Sequence, residues 1–287
     1  MNVSRMTRRI AVSGVATAIA AGALVGAAST AANAVTADGS YTCTIPGMDP
    51  AVFPLHLDVP ILPPTANAGT LIPAGLLQAT TTLTIPASAA GALGTYNVTG
   101  GTISDFGMLV GSTTAPAPLT FTSFTDGTEV GSKVASTQGS NTPFSLPKAG
   151  TYDVTLPAAF SFVPTTANGP LPISVPCTTA TPTKLASIRL DKNLTSMAAK
   201  APTSIKKGSA AKVVTTLASL NQGTPVPTGK VVAKLGTKTV GTGTLSNGRA
   251  VLKLVKLPVG KDKVSVKYAG DGFTAANKVP VTIKVTR

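Results

Sequence analysis

The sequence predicts an all-β fold, organised as two β-sandwich domains in tandem after a cleaved signal peptide. Three observations carry this. Prolines recur early, at Pro46, Pro50, Pro54, Pro60, Pro63, Pro64, Pro73 and Pro86, and each would cost about 3 kcal/mol inside a helix. Short runs of Thr, Val, Leu, Ile and Phe alternate with Gly, Pro, Ser and Asn clusters, the pattern of strands and turns. Charge also changes abruptly along the chain. Residues 35–178 hold 2 basic and 7 acidic side chains, a net of −5, whereas residues 179–287 hold 19 basic and 3 acidic, a net of +16.

Residues 1–34 read as an export signal. Arg5, Arg8 and Arg9 form a positive start, Ile10 to Ala28 an apolar run, and Ala32-Asn33-Ala34 a small-x-small cleavage site. Val35 is therefore expected to begin the mature chain. The competing reading is an N-terminal anchor, since the apolar run is long enough to span a membrane. Thr7-Arg8-Arg9 weakly suggests twin-arginine export rather than the general route. No transmembrane span is expected after signal cleavage. The sequence has no Leu-Pro-x-Thr-Gly sorting motif, so attachment to a surface is expected to be non-covalent or through a partner.

The first domain is expected over residues 35–178. Alternation puts Phe53, Leu55, Leu57 and Val59 on one face of a strand, and Leu77, Ala79, Thr81, Leu83 and Ile85 on one face of the next. Further strands are expected at 96–99, 119–124, 150–156 and 160–163, and only Ala87 to Leu93 could make a short helical turn. Cys43 and Cys177 are the only cysteines, in what read as the domain's first and last strands. In an exported chain they are expected to pair, two free buried thiols being the alternative. The bridge would close a loop of 134 residues, worth about 4–5 kcal/mol in the chain-entropy model.

Tyr41-Thr42-Cys43-Thr44-Ile45-Pro46, the early alternating strand, the Ala-rich segment 87–93 and the closing Val175-Pro176-Cys177 together resemble a secreted actinobacterial domain family, domain of unknown function 6801. The likeness covers about 140 residues. It implies an immunoglobulin-like sandwich closed by a Cys43–Cys177 bridge and a secreted protein, and implies no activity.

Residues 179–183 read as a polar linker, and residues 184–287 as a second, lysine-rich domain. Strands are expected at 211–217, 230–235, 239–245, 249–254, 263–268 and 279–285, with Ser246-Asn247-Gly248 as a hairpin turn. The ordered elements Pro227-Thr228-Gly229-Lys230-Val231, Leu245-Ser246-Asn247-Gly248-Arg249-Ala250 and Tyr268-Ala269-Gly270-Asp271 resemble the bacterial Ig-like repeat family of surface proteins. That resemblance implies an immunoglobulin-like sandwich serving as spacer, stalk or binding module. The lysine load departs from a plain spacer.

Alternation sends the lysines outward. With Val231, Ala233 and Leu235 inside, Lys230 and Lys234 face solvent; Lys263, Lys267 and Lys284 do so by the same argument. In an immunoglobulin-type topology their strands share a sheet, so these five are expected to form one basic face for an anionic polymer. The bland alternative is a solvated basic surface without a partner.

Chemistry has little to work with. His56 is the only histidine, so no His-based metal site is expected, and an exposed strand histidine is the simplest reading. Ser145-Leu146-Pro147-Lys148 and Ser204-Ile205-Lys206-Lys207 match Ser-x-x-Lys without its partner motifs. Asp105-Phe106-Gly107 is an isolated triplet, and Asp126-Gly127-Thr128-Glu129 reads as a turn rather than a calcium loop. Nucleic acid is disfavoured, because the second domain has 16 Lys, 3 Arg and only Tyr268 and Phe273 as aromatic side chains. No catalytic residue, cofactor or metal is expected. The expected role is a secreted, cell-surface-associated, non-catalytic structural or binding protein held to anionic cell-envelope polymers. The alternatives are a binder of host acidic glycans and an enzyme with an unrecognised site in the first domain.

Overall fold

The structure is a computed structural model that describes residues 33–287. The expected signal lies outside the described residues except for Asn33 and Ala34, which open a strand. Strands dominate, and the buried apolar side chains form two separate clusters, one from Ala37 to Leu190 and one from Ala211 to Val285.

In the first module a long sheet runs, in spatial order, through Thr125–Asp126, Lys133–Ser140, Gln78–Ile85, Ala51–Leu62, Asn33–Cys43, Val175–Thr178, Ala159–Thr166, Gly100–Ile103 and Leu119–Phe121. It curls so strongly that the Thr137 hydroxyl near one edge donates to the Thr120 carbonyl at the other, at 2.7 Å. A second sheet shares its core, in the order Thr65–Asn67, Lys184–Asp191, Gly150–Thr155, Gly107–Val110 and Thr113–Pro116.

The alternation read from the sequence is what the core uses. Phe53, Leu55, Leu57 and Val59 are all buried while Val52, Pro54, His56, Asp58 and Pro60, between and beside them, are not. At the centre Tyr41 is fully buried, its phenol donating to the Pro157 carbonyl at 2.8 Å, its ring centroid 4.7 Å from that of Phe160. Burial pushes the phenol up to about 12. Cys43 and Cys177 stand directly opposite each other on adjacent antiparallel strands and are bonded.

Two expectations are corrected here. Residues 96–99 are not a strand: the helix runs Ala87–Thr95, Tyr96 caps it, Asn97 adopts φ 51°, and the next strand starts at Gly100. Asn tolerates the left-handed conformation that ends a helix this way. Residues 184–191 do not open the second module: Lys184–Asp191 pairs with Gly150–Thr155 and buries Ile188 and Leu190 in the first core. The polar segment 179–183 thus connects two strands of the first module, and Cys177 precedes its last strand rather than lying in it.

In the second module a three-stranded sheet, Thr195–Lys200, Ala211–Ser219 and Arg249–Leu254, faces a five-stranded sheet. The latter runs Ser204–Lys206, Asn277–Thr286, Gly260–Tyr268, Lys230–Leu235 and Lys238–Thr244. Asn247 and Gly248, at φ 48° and 72°, make the hairpin turn that the Asn-Gly pair encodes.

The modules are joined by more than the chain. Asn193, fully buried, donates from its amide to the carbonyls of Ala68 in the first module and Phe273 in the second, at 2.7 and 2.9 Å, and accepts from the Asn221 side chain at 2.8 Å. Phe273 packs against the first core. Gly69 is required there twice over: its φ is +70°, and a Cβ would lie 2.4 Å from Pro225 and 2.8 Å from Phe273. The loop carrying Phe273 is shaped by Asp271, which accepts hydrogen bonds from the backbone and hydroxyl of Thr228, the backbone of Phe273, and the backbone and hydroxyl of Thr274. Burial pushes the Asp271 carboxyl up, but the donors from Thr228, Phe273 and Thr274 outweigh it and hold it well below the usual carboxylate range.

Replacing both Cys43 and Cys177 with Ser should lower the first module's stability by about 4–5 kcal/mol, read as a shift of its denaturation transition with the second module's transition moved far less. Asp271→Asn should cost about 1–3 kcal/mol, because an amide must turn a donor toward donors. A depressed carboxylate stabilises the fold above its unfolded-state range near pH 4, and that contribution is lost as pH falls. The variant's stability should therefore fall less steeply below pH 4 than the parent's, checked by urea titration across pH.

Candidate functional site

The outward face of the five-stranded sheet gathers a row of lysines, and the three-stranded sheet also sets Lys212 directly across from Lys253 on its own outward face. In Gly260–Tyr268 the inward positions are Asp262, Val264, Val266 and Tyr268, all buried, so Lys261, Lys263 and Lys267 point out. Lys278 and Lys284 point out from Asn277–Thr286, where Val281, Ile283 and Val285 fill the core. Lys230 and Lys234 flank buried Val231 and Ala233, with Lys234 half-buried beside a register shift. Lys206 joins them from Ser204–Lys206, whose strand runs parallel to Asn277–Thr286.

Strand register sets the lattice. Lys261 stands directly across from Lys284, and Lys267 directly across from Lys278. Neighbouring strands are about 4.8 Å apart and alternate residues about 7 Å apart along a strand. All five lysines singled out from the sequence, Lys230, Lys234, Lys263, Lys267 and Lys284, lie on this face, and Lys206, Lys261 and Lys278 enlarge it. The last three are not apparent from the sequence because alternation there starts Gly260–Tyr268 three residues late and Asn277–Thr286 two residues late, and gives no sign of Ser204–Lys206. Among the described residues no acidic side chain lies on the face: Asp262 points inward, its Oδ2 buried without a hydrogen-bond partner. Among the described residues none of these eight lysines forms a salt bridge. Like charges placed directly opposite on a ladder destabilise it, so this arrangement lacks a folding rationale.

The other candidates are placed as follows. His56 lies on the solvent face of Ala51–Leu62, its Nδ1 2.7 Å from the Asp38 carboxylate across the strand pair, both side chains exposed. Among the described residues no cluster of three His, Cys, Asp or Glu side chains could hold a metal. Phe106 is buried in the core, and Asp126 pairs with Lys133 at 2.5 Å. The second feature of note is a cavity of about 270 Å³ in the first module, between the helix Ala87–Thr95 and the end of the long sheet. Nothing in the sequence flagged it.

A family model for the bacterial Ig-like domain (group 3) matches residues 198–286, so the second module is a domain of that type. No curated protein matches the chain. Among solved structures, a protein of Corynebacterium diphtheriae described as membrane anchored aligns over 88% of this chain at 13% identity and a TM-score of 0.33. Fibronectin(III)-like modules of Clostridium thermocellum CbhA align over 80% at 12% and 0.28, covering 92% of that chain. The adhesin InvE of Yersinia pseudotuberculosis aligns over 77% at 15% and 0.32. The chain spans 59% of the first of these and 57% of the third. Among the described residues no helix is long and apolar enough to cross a membrane.

If the opposed lysines repel, Lys284→Gln should raise stability by about 0.2–1 kcal/mol at low ionic strength, and the gain should shrink as salt screens the pair. Urea denaturation at two salt concentrations reads this directly.

Proposed function

We propose that the protein is exported and acts at a cell surface as a non-catalytic structural and binding protein, held to anionic polymers by the lysine face of its second module. The observation that carries this is the row of unpaired lysines on one sheet, two pairs of them directly opposed. A surface that costs folding energy as built is stabilised when an anionic chain lies across it. Lysine ammonium groups suit diffuse polyanions, whereas planar, bidentate recognition would call for Arg. Repeating phosphate or carboxylate groups of cell-envelope polymers carry the complementary charge, and acidic glycans offer the same chemistry.

The compartment is supported by the Cys43–Cys177 bridge, which is favoured in oxidising surroundings, and by the Ig-like type of the second module. The first module's resemblance to the secreted domain family, carried by Tyr41 to Pro46 and Val175 to Cys177, supports it too.

The test is binding of the full chain to immobilised polyphosphate and, separately, to a sulfated glycan. Retention at about 0.1 M salt should be lost near 1 M, where the Debye length falls from about 10 Å to about 3 Å. Changing Lys230, Lys234, Lys263, Lys267 and Lys284 together to Gln should abolish retention. Preference between the two columns tells envelope polymer from glycan. Retention that survives 1 M salt, or that the fivefold variant keeps, would sink the proposal.

A further inference from the structure

We infer that the cavity in the first module is a binding site for one aliphatic chain, such as the acyl chain of a lipid. The inference does not rest on the lysine face and concerns the other module.

The floor of the cavity is carbon: Phe53, Ile85, Phe162 and Val175 are buried there, contributed by four strands of the long sheet. Half-buried Leu93 and Leu171 form part of the rim, and Tyr96, 53% exposed, is the one lining residue with a polar side-chain group. A peptide brings an amide donor and acceptor with every residue, and a sugar brings hydroxyls. Buried against this lining, those groups would go unpaired, at a cost that excludes them. A hydrocarbon chain has nothing to pair, and its polar end can stay at the mouth beside the Tyr96 phenol. An apolar cavity of about 150 Å³ accepts one benzene ring. The 270 Å³ here gives room for roughly ten to eleven carbons on the same scale.

The space exists because of the residues the helix turns inward. Ala89 and Ala92 line the cavity where larger side chains would fill it. The cover is also lightly held. The helix has nine residues, no side-chain cap, no acidic residue in its first turn and no basic residue in its last. It buries only Ala89 and Ala90, and Gly91 and Gly94 face open space. So short a helix depends on its packing to persist. The opposite wall is fixed: Ile45 and Val175 each sit two residues from a bridged cysteine. A rigid apolar floor beneath a weakly anchored cover is suited to admitting a chain by displacing the cover.

The experiment uses the full-length exported chain and a series of uncharged 1-alkanols, hexanol to dodecanol, by titration calorimetry. An uncharged probe has no attraction to the lysine face. Affinity should rise about fourfold per methylene until the cavity is full, then level off. Ala92→Leu, which fills the space, should weaken 1-decanol binding at least tenfold without lowering the melting temperature. Should that variant unfold, the chain-length series on the parent protein still decides. Absence of binding by every alkanol overturns the inference. So does affinity that ignores chain length, or an unchanged affinity in a folded Ala92→Leu protein.

Discussion

A pleated strand sends alternate residues to opposite faces, and in this chain that one constraint fixes both the core and the charge. Val264, Val266 and Tyr268 cannot be buried without Lys263 and Lys267 being pushed out. Hydrogen-bond register then decides which lysines become neighbours, placing Lys261 against Lys284 and Lys267 against Lys278. A helix with the same composition would spread its ammonium groups around a cylinder. The sheet collects them on a plane, which is why a compositional excess becomes a surface with a definite spacing.

The same constraint explains what could be read in advance. Strands with clean alternation, such as Phe53 to Val59 or Val279 to Val285, were legible, and so was the sheet that gathers Lys230, Lys263 and Lys284. Lys133–Ser140 was not, because it buries only Ala135 and Gly139 and, apart from half-buried Val134, is otherwise polar. Thr195–Lys200 is an edge strand whose half-exposed Met197 and Ala199 give little contrast. Lys184–Asp191 was assigned to the wrong module: its lysine and arginine match the basic half in composition, while Ile188 and Leu190 are drawn to the first core. Composition follows the chain, but strand pairing follows complementary faces. The cavity was invisible for another reason. It is made by what Ala89 and Ala92 leave unfilled, and an absence of volume leaves no periodic signal.

The junction shows how two modules with separate cores become a pair with a set relation. Asn193 brings the segment after Lys184–Asp191 under the Phe273 loop and bonds to both modules from full burial. A buried amide with its donors and acceptor used is costly to separate, since parting the modules would strand it. Asp271 orders the loop from the second module's side, and Gly69 lets the first module's backbone approach Pro225 and Phe273. The Tyr-x-Gly-Asp element is thus part of the coupling as well as of the domain fold, with the Tyr268 hydroxyl 2.8 Å from that of Thr274.

The position of the disulfide gains a reason from the cavity. At about 24 cal/mol per Å³, a closed void of 270 Å³ would cost roughly 6 kcal/mol, and a cleft open at its rim costs less. The bridge contributes about 4–5 kcal/mol in the chain-entropy model. It joins the two strands that lead into the cavity wall, two residues from Ile45 and two from Val175. A core interrupted at one end by empty space is weakest where side chains lack partners on one side. The bond fixes the adjacent strands on that wall, whereas the nine-residue helix opposite depends on its packing alone.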